Sequence, residues 1–144
     1  MSNLIAVVTG AGSGIGAAIA KELAKRGNFV VVTDLNLASA KKVADEIGNA
    51  DALKLDVTNP ADVDKVIDQI INNHKKIDIW VSNAGISKMQ KFIDISPKDL
   101  ELTFKVNTFG VFYCGQAVAK KMIQLGIKGK IINTASMAAK QALE

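Results

Sequence analysis

Short apolar runs alternate with longer stretches in which apolar residues recur every three to four positions, and the alternation does not break. Leu4 to Thr9 is a short apolar run ended by glycines, the mark of a strand. From Gly14 to Arg26, Ile15, Ile19 and Leu23 return at helical spacing, and Gly27 closes the segment. Phe29 to Thr33 is β-branched and continuous, as a strand buried on both faces should be. Leu37 to Ile47 reads as a helix before Gly48, and Ala52 to Val57 as a third strand. Asn59 then offers an N-cap, Pro60 suits the first helical position, and Asp62 favours the positive end of a helix running to about His74. Ile77 to Val81 is a fourth strand. Ser96-Pro97 repeats the cap-and-proline start for a long helical region ending near Gly126, and Lys130 to Thr134 is a fifth strand. This order predicts an α/β fold: a doubly wound parallel sheet of the Rossmann type with helices on both faces. Five strands are present where the doubly wound dinucleotide fold usually has six. The reading is one domain over residues 1–144 with a complete first half and an unfinished second half, and without internal linker, repeat or low-complexity tract.

Composition narrows the classes. Hydrophobic residues make up 49% and charged residues 22%, ordinary for a soluble globular chain. No run approaches the roughly 18 apolar residues of a membrane span, and the start lacks the basic region of a signal peptide. A cytoplasmic address is expected. The single cysteine, Cys114, excludes an internal disulfide and reads as core packing; with one histidine, His74, no local zinc site is expected, and no metal. The net charge of +4 comes from separate pairs such as Lys41-Lys42, Lys75-Lys76 and Lys120-Lys121, with no aromatic interleaving, so nucleic acid is not an expected partner.

The candidate chemistry begins at Thr9-Gly10-Ala11-Gly12-Ser13-Gly14-Ile15-Gly16, between the first strand and the first helix. Glycines there allow a tight turn and let a pyrophosphate approach main-chain N–H groups, with the helix directing its positive end at the phosphate. Gly16 would also let helix and strand pack closely. The spacing departs from G-x-G-x-x-G, because position 15 is isoleucine, and instead fits T-G-x-x-x-G-x-G. Asp34 ends the second strand about 20 residues on, where an acid can bond the ribose hydroxyls of a dinucleotide. A carboxylate there repels a 2′-phosphate, and neither Ser13 nor Leu35 is basic, so the expected cofactor is NAD rather than NADP. The bland alternative is that Asp34 only caps the strand end or the next helix.

With these residues the sequence resembles the classical short-chain dehydrogenase/reductase family along its whole length. The resemblance implies cofactor contacts at Gly10, Ser13, Gly14, Ile15 and Gly16, at Asp34, and at Asp56 and Val57 beside the adenine ring. The family's N-N-A-G after the fourth strand is here Ser82-Asn83-Ala84-Gly85, which carries the contacts over to Asn83, Ala84 and Gly85. Asn107 matches an asparagine that in relatives interrupts the long helix and holds a water in a proton relay. Ser136 matches the family's catalytic serine after the fifth strand and would hydrogen-bond the substrate oxygen. The family's Tyr-x-x-x-Lys has no counterpart: the chain ends at Glu144, eight residues after Ser136, and Tyr113, the one tyrosine, is followed four positions on by Ala117. In relatives that tyrosine moves the proton, while the lysine lowers its pKa and holds the ribose.

The implied activity is NAD(H)-dependent interconversion of a secondary alcohol and a ketone. Gly110 to Lys140 looks most like members acting on acetoin, butanediol or sugar alcohols. Exact substrate, direction and stereochemistry stay open. The 144 residues alone are expected to be inactive, as a fragment or a truncated gene product, with Gln141 to Glu144 open to being foreign sequence. Two other classes stand beside this one: a non-catalytic NAD-binding or regulatory module, and a nucleotide-dependent methyltransferase, which Asn83-Ala84-Gly85, Asn107 and Ser136 argue against. The resemblance further implies a homodimer or homotetramer at full length, with the long helix against a partner subunit. An exposed edge at the fifth strand is expected, and reduced cover for Val111, Phe112, Val118 and Met122.

Overall fold

The structure is a computed structural model and describes residues 4–137 and 140. Five parallel strands form one sheet in the order β3-β2-β1-β4-β5: β1 Ile5–Thr9, β2 Phe29–Asp34, β3 Ala50–Lys54, β4 Ile79–Ser82 and β5 Lys130–Asn133. The helices between them are α1 Gly14–Lys25, α2 Leu37–Ile47, α3 Pro60–His74, α4 Pro97–Phe104 and α5 Val111–Gln124. Period-two alternation of the strands builds a core on each face. Val7, Val31 and Trp80 pack with Val63, Ile67 and Ile70 of α3 and with Cys114, Val118 and Met122 of α5. Val8, Val30, Val32 and Val81 pack with Ala17 and Ala20 of α1 and with Ala40 and Val43 of α2. The doubly wound reading therefore holds, with α1 and α2 on one face and α3 and α5 on the other.

Three boundaries differ from the expected ones for physical reasons. β3 lies two to three residues earlier, because its ladder with β2 ends at Asp34–Lys54. Leu55 and Val57, which looked like its end, are buried in the turn that follows. β4 starts at Ile79 rather than Ile77, since Asp78 turns its carboxylate to the Ile5 N–H at 2.8 Å. The long helical region is one path in three parts: between α4 and α5, Lys105–Gly110 widens into a π-helix centred near Asn107. Such single-turn widenings gather at functional sites.

β5 stands at the sheet edge, with Ile131 and Ile132 at 37% and 50% exposure. The expectation for α5 is half right. Phe112 is exposed, but Val118 and Met122 are buried, because with Cys114 they make a stripe four residues apart that faces α3 and the sheet. Among the described residues no helix is long and apolar enough to cross a membrane.

Candidate functional site

Connections leave β1 toward one side of the sheet and β4 toward the other. The crevice between their C-terminal ends is thus the switch point at which open α/β sheets take ligands. The glycine-rich turn lies there. Gly10 and Gly14 adopt left-handed backbone, φ +62° and +55°. A Cβ on Gly10 would come within 2.7 Å of Ala84 Cα, and one on Gly16 would run into the Gly10 carbonyl and sit 2.5 Å from Asn83 Nδ2. A Cβ on Gly14 would meet nothing within 4 Å, so that side of the turn is open.

α1 starts without a side-chain cap. Asn36, Asn59 and Ser96 cap α2, α3 and α4, whereas Ser13 precedes α1 without a side-chain hydrogen bond to its first-turn N–H groups. Ser13, Gly14 and Ile15 are exposed. Uncapped N–H groups at an open helix start are donors for an anion, so this chain's residues fit a pyrophosphate.

Asp34 ends β2 beside this turn. One carboxylate oxygen accepts from Gly12 N and the other from Asn36 N, both at 2.9 Å. The cap of α2 is Asn36, so Asp34 shapes two turns while its carboxylate lines a cavity of about 290 Å³. That cavity is continued by Gly10, Leu35, Asp56, Val57, Ala84 and Gly85. The Asp56 carboxylate is turned inward on Thr58, accepting from its N–H at 2.9 Å and its hydroxyl at 2.7 Å. Gly110 lets the π-helix press on this turn: a Cβ there would lie 2.8 Å from Val57 Cγ2.

A second cavity of about 580 Å³ adjoins the first at Gly85 and Ile86, and brings Asn107 and Ser136 together with Ile15, Lys88, Gln90 and Asp99. The Asn107 amide is spent on one residue. Its Oδ1 accepts from Ile86 N at 2.9 Å and its Nδ2 donates to Ile86 O at 2.8 Å. The side chain of Asn107 thus anchors the segment after β4 to the π-helix. Tyr113 lies elsewhere, beside Pro60, Asp64 and Lys120, in a cavity that none of the candidate residues lines.

Thr9 belongs to the glycine motif read from the sequence, but that reading assigned its hydroxyl no role. Its hydroxyl accepts from Asn83 N and Ala84 N, each at 3.0 Å, and donates to Val81 O at 3.4 Å. Asn83 replies with its amide, donating to Thr9 O and Gly10 O. The side chain of Asn83 therefore holds the glycine turn, and its neighbours Ala84 and Gly85 form cavity wall. Ser82, where the family motif has asparagine, accepts a bond from Trp80 Nε1 at 3.2 Å in the core.

The short chain dehydrogenase family model matches residues 4–144. The chain belongs to that family. It is 38% identical over 144 residues to L-2,3-butanediol dehydrogenase of Corynebacterium glutamicum, covering 95% of this chain and 55% of that protein. It is 37% identical over 137 residues to sorbitol dehydrogenase of Cereibacter sphaeroides, covering 94% and 54%. A solved short-chain type dehydrogenase/reductase from Mycobacterium marinum superposes with a TM-score of 0.95 at 36% identity, over 99% of this chain and 59% of that one. The chain spans about half the length of the curated relatives it matches. Membership of this oxidoreductase family agrees with the two adjoining cavities at the switch point.

Proposed function

We propose that this chain is the NAD-binding part of an oxidoreductase that interconverts a small secondary alcohol and its ketone. The observation that carries the reading is the junction at Gly85 and Ile86: a cavity bearing Asp34 on one side, a cavity bearing Ser136 and Asn107 on the other. A dinucleotide laid across α1 would put its pyrophosphate on Ser13 to Gly16, its ribose hydroxyls on Asp34 and its adenine against Asp56 and Val57. Bound, the cofactor supplies the hydride acceptor or donor. Ser136 would hold the substrate oxygen by a hydrogen bond, and Asn107 would keep Ile86 and Gly85 in register with it. The acid/base pair of the family, Tyr-x-x-x-Lys, does not occur in residues 1–144 and would come from sequence beyond Glu144 in the full-length protein. Proton transfer of that kind is worth about 10²- to 10⁴-fold in rate, so the 144 residues alone should turn nothing over. Butanediol and sorbitol, the substrates named for two relatives, support a small diol or polyol as the substrate class. A homo-oligomeric, cytoplasmic full-length form belongs to the same reading.

NAD rather than NADP follows from Asp34, whose carboxylate would face a 2′-phosphate with no cation at Ser13 or Leu35. The test is cofactor choice in the full-length protein, with D34S/L35R beside it. The wild type should prefer NAD, and the double variant should shift toward NADP. Better use of NADP by the wild type refutes the role of Asp34. Tight NAD binding without turnover of any alcohol would favour the non-catalytic module.

A further inference from the structure

The segment between β4 and α4 is irregular apart from one turn of 3₁₀ helix at Phe92–Asp94, yet it is held at both ends. Asn107 grips Ile86 at the near end. At the far end one oxygen of Asp99 accepts from Ser96 Oγ at 2.8 Å, Lys88 Nζ at 2.9 Å and Gln90 Nε2 at 3.3 Å. Ser96 caps α4 by accepting from the Asp99 N–H at 3.1 Å, while its own hydroxyl donates to the Asp99 carboxylate, so the carboxylate that clamps the loop is tied to the start of α4. Lys88 and Gln90 sit between the two clamps, and both line the cavity that Ser136 lines. We propose that Lys88 and Gln90, held by Asp99, form the substrate-selecting wall of that cavity and fit it to an uncharged, hydroxylated substrate in preference to a carboxylated or phosphorylated one. The inference deepens the proposed function and rests on it.

Charge carries the argument. Among the described residues lining this cavity only Lys88 and Asp99 are charged, and they neutralise each other across 2.9 Å. Lys88, Ser96 and Gln90 together hold the Asp99 carboxyl at about 2, so Asp99 carries its charge at any working pH. An anionic substrate would find no unpaired cation here. A polyol would find the amide of Gln90 and the hydroxyls of Thr103 and Ser136 around an apolar floor of Ile15 and Leu100. Removing the Asp99 charge frees the Lys88 ammonium and gives the cavity one net positive charge. At partly hydrated separations of several ångströms, one such charge favours an anion about fivefold.

The test uses the full-length protein with the variants D99N, K88Q and K88Q/D99N. Sorbitol and gluconate serve as matched neutral and anionic probes, each read by kcat/KM and by calorimetric binding. D99N should raise the gluconate-to-sorbitol ratio about fivefold and raise KM for sorbitol more than it lowers kcat. K88Q, which leaves Asp99 unpaired, should move the ratio several-fold the other way. K88Q/D99N should bring the ratio back while KM stays raised, because the clamp is still lost. An unchanged ratio in D99N and K88Q, both folded by their melts, overturns the inference. So does a double variant that keeps the D99N ratio. A wild-type protein that oxidises no alcohol sinks the proposed function instead, and calorimetry then decides here: gluconate bound no tighter by D99N than by wild type overturns the wall.

Discussion

Gly16 gives the sharpest test of the site's construction. A methyl group there would enter the Gly10 carbonyl, approach Asn83 Nδ2 to 2.5 Å and approach Ala11 Cα to 2.9 Å. Two of those atoms are backbone, and the third belongs to a side chain whose amide is committed to Thr9 and Gly10. Nothing can move without opening the glycine turn. Overpacking of this sort costs about 1–3 kcal/mol, and a kcal/mol lowers the melting temperature by roughly 2–4 °C in a protein of about 150–250 residues. Gly16→Ala should therefore melt roughly 2–12 °C below the wild type and bind NAD more weakly, since the displaced turn carries the open N–H groups. Gly14 is the control. A Cβ there meets nothing, and only its φ of +55° resists substitution. Left-handed backbone costs an L-residue about 1–2 kcal/mol, and asparagine tolerates it better than alanine. Gly14→Asn should then be milder than Gly14→Ala, whereas Gly16→Asn should be worse than Gly16→Ala. Differential scanning fluorimetry and NAD titration of the full-length protein read both pairs. A Gly16→Ala variant that melts within about 1 °C of the wild type and keeps its NAD affinity would refute the close-packing argument.

Three further outcomes follow from the same geometry. Ser136→Ala in the full-length protein should lower kcat by about 10²- to 10³-fold with NAD affinity unchanged; an equal loss of NAD binding would make Ser136 structural. Burial pushes the Cys114 thiol up to about 12, so it should resist a thiol reagent at pH 8 and react only on unfolding; fast labelling of the native chain would contradict its packing. The Asp99 carboxyl, held near 2 against a usual 3.8, contributes stability that is present above about pH 4 and is lost as pH falls through 2; an NMR titration midpoint near 4 would show that the Lys88–Asp99 clamp does not form in solution.

The strands and helices were legible because both periodicities are clean and the caps Asn59 and Ser96 stand at helix starts, whereas the cap of α2 at Asn36 came only with the structure. The end of β3 was not, since hydrophobicity runs on through Leu55 and Val57 while the ladder stops at Lys54. Burial follows the sequence, but pairing depends on the neighbouring strand. The π-helix was invisible to composition: Lys105 to Gly110 carries no break residue before its final glycine. Only the resemblance marked Asn107 as an interruption. Val118 and Met122 were misjudged because α5 buries one stripe on α3 and exposes another, and the sequence alone does not tell which stripe meets what.

Thr9, Asn83 and Asn107 explain how two cavities can share one edge without regular structure between them. The segment from Asn83 to Ile95 has no strand or α-helix to hold it. Thr9 binds its first two N–H groups, so it starts at a fixed height above β1. Asn83 returns a donor to the glycine turn, so turn and segment shift together or not at all. Asn107 then takes both polar groups of Ile86, which fixes the segment to the long helix from the opposite side. Gly85 lies between these grips, where a side chain would press on Asn107: a Cβ there would lie 3.4 Å from Asn107 Oδ1. A net of neutral hydrogen bonds suits this place, since each is worth only about 0.5–1.5 kcal/mol yet leaves a costly orphan if one partner is lost. Asn83 and Asn107, which looked in sequence like parts of the cofactor and catalytic machinery, thus spend their amides on the backbone of Thr9, Gly10 and Ile86. The crevice beside them is lined by Gly10, Ala84 and Gly85 together with Asp34 on one side and Ser136 on the other.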